Sequence, residues 1–375
     1  MAQNQPVWYP PLSLYGRPVA QPYFDFPNWA RFSNCRPPPL AWGYDPFPGY
    51  NGSGFDGNCD ANCNGYPSVN CPGDFVAHRP SAWYATADLA PRTIDFSDGF
   101  DVARIGPLGP TVLRTEHLSP DFDVGGKFTV GRRIFDCYRV ESTYLGKYDW
   151  DDFVIVTSTA DNLSTVLSGF SIPITPGLDN AGSVELGFHS EFSSGELNVR
   201  YWVDMPPGPF DVSLLVGARY AELNEEFVFT SIVDAPATVN VFQATTRNEM
   251  YGAQLGIEMA WLVTVRTWID MDLKGAILHD RVNLNSTLVR NGIATPDNTD
   301  TLHNTVFLGD LQLAANWQMT PSLTLRAGYQ ALWFDGLALA QNQIRSPLVN
   351  NAPGPFDDDG GACVHGPTLG LTAYW

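Results

Sequence analysis

The residues of this 375-residue chain that could do chemistry include six cysteines. They are Cys35, Cys59, Cys63, Cys71, Cys137 and Cys363. An even number of cysteines favours disulfides in an oxidising compartment, and the first four are candidates for local pairing in an order that the sequence leaves open. A zinc site is the alternative, but the Cys59-x3-Cys63 spacing has no second matching pair. We therefore predict disulfides and no metal site.

Aspartates cluster at three places along the chain. The clusters are Asp95, Asp98 and Asp101; Asp149, Asp151 and Asp152; and Asp357, Asp358 and Asp359. Their oxygens could hold Ca²⁺, although none of the clusters matches the twelve-residue calcium loop with its terminal Glu. The plainer interpretation is an acidic rim on solvated loops, which would concentrate cations over anions. We predict no cofactor, with Ca²⁺ on these loops as the alternative.

Histidines give little support for catalysis. The six are scattered, at His78, His117, His189, His279, His303 and His365. None lies in an HExxH motif or beside a GxSxG elbow, and a Gly-rich phosphate loop is absent. The chain is therefore predicted not to be an enzyme. A Ser-His pair that meets only in the fold is the alternative.

Composition indicates strands and turns rather than helices. Charged residues make up 16% of the chain, against about 25% in an ordinary globular domain. Gly and Pro together contribute 64 residues, which is dense turn chemistry. No apolar run approaches the roughly 18 to 20 residues of a membrane-spanning helix. The net charge of −19 makes nucleic acid an unlikely partner, because phosphates would be repelled.

Residues 1–80 differ from the rest of the chain and are predicted to form an irregular N-terminal arm. They hold 14 of the 30 prolines together with many aromatics, including Trp8, Trp29 and Trp42. Consecutive prolines interrupt a sheet ladder, and so many aromatics argue against a freely solvated tail. The first residues lack the basic and apolar segments of a signal peptide, so we expect either no export or a signal peptide already removed.

From residue 81 onward the dominant pattern has a period of two, which places successive side chains on opposite faces of a strand. One face between 249 and 262 carries Tyr251, Ala253, Leu255, Ile257, Met259 and Trp261. Each such stretch is about ten residues long with aromatics near its ends, as in a tilted strand that crosses a bilayer. The pattern predicts about twelve strands, at 82–91, 121–131, 134–147, 153–160, 183–192, 195–204, 211–222, 248–262, 264–276, 304–318, 322–334 and 366–375.

The residues that alternate with the apolar rows indicate which environment the second face of each strand meets. A soluble sandwich would expose a surface rich in Lys and Glu, whereas this face is rich in Arg, Asn, Gln, Gly and Thr. Arginine can pair with carboxylates across strands in a confined, partly wet interior. We predict a closed antiparallel transmembrane β-barrel whose lumen is lined by Arg139, Glu141, Arg200, Arg219, Glu258, Arg266, Asp270, Asp272, Asp310 and Arg326.

Connection lengths support the barrel. Tight turns are predicted at 132–133, 206–208, 262–264 and 320–322, and long connections at 92–120, 223–247, 277–303 and 335–365. Short turns at one rim and long loops at the other are typical of outer-membrane barrels. The connection 161–182 is an exception, because it is long and falls on the turn side.

Several segments of this barrel region resemble a known family. They are Ser81–Leu89, Asp121–Phe128, Glu196–Arg200 and the aromatic finish Leu371–Trp375. They are similar to the putative β-barrel porin family of planctomycete-type bacteria, and the resemblance covers residues 81–375. It implies an outer-membrane barrel of poorly defined function. It also implies that the terminal Trp375 is read by the barrel-assembly machinery as an insertion signal.

Taken together, the sequence predicts an outer-membrane β-barrel that acts as a passive, cation-preferring pore or as a structural component of the envelope. The expected partners are the lipid bilayer, the assembly machinery, small hydrophilic solutes or ions, and further copies in an oligomer or array. The arm could plug the lumen, extend from it, or tie barrels together. The alternatives are a secreted β-sandwich that binds glycans and an outer-membrane hydrolase.

Overall fold

A computed structural model describes residues 83–97, 99–135, 137–203, 209–234, 236–295, 297–345 and 356–375. The predicted arm, residues 1–80, lies outside them. The described chain is all-β apart from 3-10 helices at Thr115–His117, Val166–Ser168 and Gln341–Arg345. Within these ranges, no helix has the length and apolar character needed to cross a membrane.

Fourteen strands make up the described fold. They are β1 (Trp83–Phe96), β2 (Asp101–Ile105), β3 (Thr111–Arg114), β4 (Asp123–Phe135), β5 (Tyr138–Thr157), β6 (Leu163–Thr165), β7 (Ala181–Trp202), β8 (Phe210–Asp234), β9 (Ala237–Thr264), β10 (Thr267–Arg290), β11 (Ile293–Ala294), β12 (Asn298–Thr320), β13 (Leu323–Leu337) and β14 (Gly360–Tyr374).

Ten of these strands close an antiparallel barrel. The order around its wall is β1, β14, β13, β12, β10, β9, β8, β7, β5 and β4, and the pairing of β4 with β1 completes the ring. The other four strands extend the wall: β2, β3 and β6 form a short sheet beside β7, and β11 pairs with β10. The predicted closed antiparallel barrel is therefore confirmed in architecture, with ten strands in the ring rather than about twelve.

The difference in strand number has a local cause. Predicted strands 134–147 and 153–160 largely merge into β5, and 183–192 and 195–204 merge into β7. Small and acidic residues at these points resemble turns, but Ser193 and Ser194 pair with Glu222 and Ala221 in a continuous ladder. The predicted turns inside β5 and β7 do not exist, so the chain does not change direction there. The connection 161–182 therefore lies at the same end of the barrel as the other long loops.

The two ends of the barrel differ as expected. The terminal end carries Trp83 and Trp375, which exchange backbone hydrogen bonds at 3.0 Å. Short turns join the strands there, whereas β1 to β4, β5 to β7 and β13 to β14 are connected by long segments at the opposite, loop end. Two predicted long loops are wrong: 223–247 and 277–303 mainly continue the strands, and Asp234 of β8 pairs directly with Ala237 of β9.

The outer wall carries an apolar belt around the terminal half of the barrel. On β8 the outward residues from Phe210 to Tyr220 are apolar, and on β9 those from Tyr251 to Val263 are apolar. Tyr220 pairs with Tyr251 at one edge of the belt, and Phe210 with Trp261 at the other. An apolar band between aromatic girdles is the surface that a bilayer requires. The soluble sandwich is wrong, because these rows are exposed rather than packed between sheets.

The belt predicts where an outward charge is costly. Leu255 lies in the middle of the belt with 67% of its surface exposed, and Gln243 is exposed on the same face of β9 beyond the belt. Leu255→Arg should lower the free energy of unfolding by about 2 to 4 kcal/mol, and Gln243→Arg by about 0 to 1 kcal/mol. Urea titrations in phospholipid vesicles measure both values. Equal effects would contradict the placement of the belt.

Candidate functional site

The lumen changes character along the barrel axis. In the terminal half, inward side chains such as Thr86, Asp88 and Lys127 are polar, whereas nearer the loop end the inward side chains include Ile94 and Phe334. The wall therefore encloses a charged compartment at one end and an apolar compartment at the other. Because lipid excludes water from outside the charged half, its charges must be matched from within.

Four buried charges meet where the two compartments join. Arg219 on β8 reaches Asp310 on β12 at 3.0 Å, and Lys274 on β10 reaches the same carboxylate at 3.3 Å. Lys274 also pairs with Glu196 on β7 at 2.9 Å. Gln330 donates to the second oxygen of Asp310 at 2.8 Å. These contacts join β7, β8, β10, β12 and β13 across the lumen.

A second group of charges lies nearer the terminal end. Arg200 on β7 donates to Asp272 at 2.7 Å and to Glu141 at 2.5 Å. Its third contact is Glu258 at 3.2 Å. Arg139 on β5 pairs with Glu141 and, at 3.0 Å, with Glu258. The guanidinium of Arg200 thus pairs with three carboxylates, and these contacts hold its side chain in one position.

This second group borders a cavity of about 160 Å³, here called the vestibule. Its lining includes Tyr84 and Tyr374 near the terminal end, together with Asp270, Asn316 and Arg326. Asn316 donates to Asp270 at 2.8 Å, whereas the described residues provide Arg326 with no ion pair. The vestibule is the polar space within the terminal half of the barrel.

The predicted lumen residues can now be placed. The ones that surround the lumen in the terminal half are Arg139, Glu141, Arg200, Arg219, Glu258, Asp270, Asp272, Asp310 and Arg326. Arg266 is different, because the turn between β9 and β10 falls at 265–266 and leaves this residue exposed. The predicted strand 264–276 begins too early, so the prediction that Arg266 lines the lumen is wrong.

Two buried cations were missed by the sequence pattern. Arg92 is fully buried and donates to the carbonyl oxygens of Gly366 at 2.7 Å and Pro367 at 2.9 Å. Lys127 donates to Gln312 at 2.7 Å. Both partners come from strands far away in sequence. Lysine is rare in the chain, and this rarity was the sequence signal that could have marked Lys127 as a special residue. Lys127 is buried because its side chain points inward from β4.

The other predicted sites have simple placements. The arm cysteines Cys35, Cys59, Cys63 and Cys71 lie outside the described residues, no disulfide joins two described cysteines, and Cys363 is free. Trp375 ends the chain at the terminal end with 60% of its surface exposed.

The acidic clusters were expected on loops, and two of them are not. Asp149, Asp151 and Asp152 lie within β5, and Asp95 lies within β1. Period two continues through these aspartates, so they belong to the wall beyond the belt. Among the described residues, no group of three or more His, Cys, Asp or Glu side chains is arranged to hold a metal ion.

An apolar cluster fills the loop half of the lumen. Every barrel strand except β4 contributes to it, with side chains such as Phe192, Phe227 and Leu278. The connecting segments fold inward and add Leu113 from β3 and Leu167 from the second 3-10 helix. We call this cluster the plug. None of its buried members has more than 8% of its surface exposed.

The segment that follows β13 is held inside the plug by hydrogen bonds from the wall. Residues 337–344 are buried. Asn248 on β9 donates to the carbonyl oxygen of Ala338 at 3.0 Å and accepts from its N–H at 3.3 Å. Glu225 on β8 accepts from the N–H of Ala340 at 2.9 Å. Burial raises the pKa of Glu225 to about 7, although hydrogen bonds from Ala340 and Thr246 act to lower it.

One histidine on the outer wall lies between an acid and a hydroxyl. His365 Nε2 is 2.7 Å from Asp95 Oδ2, and its Nδ1 is 2.6 Å from the Tyr329 hydroxyl. This arrangement orients the imidazole as in an acid-His-nucleophile series, but the hydroxyl belongs to Tyr329, a tyrosine exposed on β13, rather than to a serine. The predicted absence of enzyme activity stays a prediction.

Comparison with known proteins identifies one family. Residues 153–359, more than half of the chain, match the family described as "Putative beta barrel porin-7 (BBP7)". No curated protein matches the chain.

Three solved structures with a similar chain trace are distant in sequence. The outer membrane protease OmpT from Escherichia coli is 11% identical, with 78% of this chain and 96% of that chain covered and a TM-score of 0.48. The translocator domain of autotransporter NalP from Neisseria meningitidis is 9% identical, with 80% and 90% covered and a TM-score of 0.37. The CymD monoaromatic hydrocarbon channel is 9% identical, with 79% and 89% covered and a TM-score of 0.32. Such likenesses carry no information about activity.

The central charges predict unequal costs for removing two lumen arginines. Arg219→Met would leave Asp310 and Glu196 short of a cation and should cost about 3 to 5 kcal/mol of unfolding free energy. Arg326→Met removes a guanidinium without an ion pair and should cost about 1 kcal/mol. Urea titrations in vesicles compare the two variants. Equal losses would show that the central ion pairs add nothing specific.

Glu225 predicts a pH dependence of stability. Its pKa is about 7 in the folded protein, above the ordinary carboxyl value, so its contribution is fully present below about pH 4.5 and is lost as the pH rises towards 7. The loss attributable to Glu225 should be roughly 3 kcal/mol. Glu225→Gln should remove it from the pH profile of unfolding, whereas Glu226→Gln on the outer face should not. An unchanged profile in Glu225→Gln would refute the assignment.

Proposed function

Since this chain belongs to the beta barrel porin-7 family, we propose that it is an outer-membrane barrel closed to passive diffusion, with a structural role in the envelope. The observation that carries the proposal is the plug, which occupies the loop half of the lumen with side chains from the wall and from the inward-folded segments. Of the two functions expected from the sequence, the structural role is therefore favoured over the cation-preferring pore.

Barrel width supports the same proposal. About eight strands leave an interior that side chains just fill, and sixteen to eighteen leave an aqueous channel. Ten strands are close to the lower limit. In addition, an ion crossing the central charges would have to separate Arg219 and Lys274 from Asp310, with a large cost in a water-poor interior.

Orientation and assembly complete the proposal. The terminal end faces the periplasm and the loop end faces outward, as in other outer-membrane barrels. Trp375 then lies at the periplasmic rim, where it can serve as the signal for the assembly machinery that the family resemblance implies. The lipid bilayer is the main partner, through the apolar belt, and β1 begins with Trp83 at the same periplasmic end.

Conductance in a planar bilayer tests the closed state. The full chain and a chain that lacks residues 1–80 should both stay silent under conditions in which an open trimeric porin conducts, because the plug is built from residues of the barrel region. Current steps in both would identify a pore. Steps only after truncation would make the arm the barrier instead.

A further inference from the structure

The vestibule contains two opposite charges that do not pair with each other. Arg326 on β13 and Asp270 on β10 both line the same cavity. No ion pair within 4.0 Å joins them. The Nε of Arg326 is buried and lacks a hydrogen-bond partner among the described residues. Asp270 has a single described side-chain partner, Asn316, which is uncharged.

Arg326 differs from the other inward cations of the barrel. Arg200 contacts three carboxylates, and Arg219 and Lys274 contact two or more each. Arg92 and Lys127 form no ion pair, but they donate hydrogen bonds to neutral oxygens of the wall, whereas the Nε of Arg326 has no such partner among the described residues. The cross-strand neighbours of Arg326 are Asn316 and Gly370, and neither carries a charge. Asp88, which faces Gly370 from β1, is the acid on that side, but no ion pair joins it to Arg326.

The chemistry of the two groups defines what would fit between them. A guanidinium binds a carboxylate through two parallel hydrogen bonds, and a carboxylate binds an ammonium group. Partly buried charges are costly until they are paired. We propose that the vestibule binds a small zwitterion of the amino-acid class, with its carboxylate on Arg326 and its ammonium on Asp270.

The size and access of the cavity agree with this ligand. A volume of about 160 Å³ exceeds the roughly 10 to 15 Å³ that one water needs, and so admits a small molecule. Tyr84 and Tyr374 line the cavity on the side of the terminal end, where they pair across β1 and β14. The ligand would enter from that side and would not cross the plug, so the inference goes beyond the proposed function and does not depend on it.

Binding to the full chain in detergent tests the proposal with three probes. Glycine carries both charged groups, acetate carries the carboxylate alone, and methylammonium carries the cation alone. In equilibrium dialysis with radiolabelled probes, glycine should bind at least about tenfold more tightly than either fragment, because both charges are then satisfied together.

Two variants separate the two ends of the ligand. Arg326→Gln should abolish acetate binding and weaken glycine binding about tenfold or more, and Arg326→Lys should restore part of both. Asp270→Asn should weaken glycine and methylammonium binding while acetate binding remains. Arg266→Gln, in an exposed turn at the same end, is the matched control and should bind all probes normally.

The folded fraction of each variant is measured by heat-modifiable migration, so that binding is compared per folded barrel. The proposal is overturned if glycine binds no better than acetate. It is also overturned if Arg326→Gln binds glycine as well as Arg266→Gln does, or if Asp270→Asn affects acetate and methylammonium equally.

Discussion

The structure depends on a reversal of polarity along barrel strands such as β8. On β8, Leu214 and Val216 face outward in the belt while Arg219 faces inward, but beyond Tyr220 the inward residues are Phe227 and Phe229. The first arrangement suits a wall surrounded by lipid and the second a wall surrounded by water. A single strand therefore meets lipid along one half and water along the other, because its apolar residues change from the outward to the inward face while its hydrogen-bonded ladder stays continuous.

This reversal divides the sources of stability between the two halves. In the terminal half the apolar side chains are outside, so the interior is held by paired charges such as Arg200 with Asp272 and by the closed ladder of backbone hydrogen bonds. In the loop half the apolar side chains are inside and form an ordinary hydrophobic core. The central group around Asp310 lies where one kind of interior gives way to the other.

The sequence predicted the architecture better than the strand boundaries, for the same physical reason. Period two identified the belt faces, but the apolar face ends at Tyr220 and the strand appeared to end with it. The alternation continues through Phe227 and Phe229 on the opposite face. A search for apolar residues on the lipid-facing side alone does not detect this part of the strand. The pairing of Arg219 with Asp310 could not be predicted, since it depends on register and on which strands face each other across the lumen.

A ten-stranded barrel with this reversal cannot easily combine a water-surrounded upper wall with an open bore. If the loop half were opened, the inward rows of Phe227 and Leu278 would face water on the inside while Glu226 faces it on the outside, and the hydrophobic stabilisation of that half would be lost. A wide porin avoids this problem because its inward rows are polar along the whole strand. The polarity of the inward rows, more than the presence of any one loop, therefore decides whether such a barrel is closed.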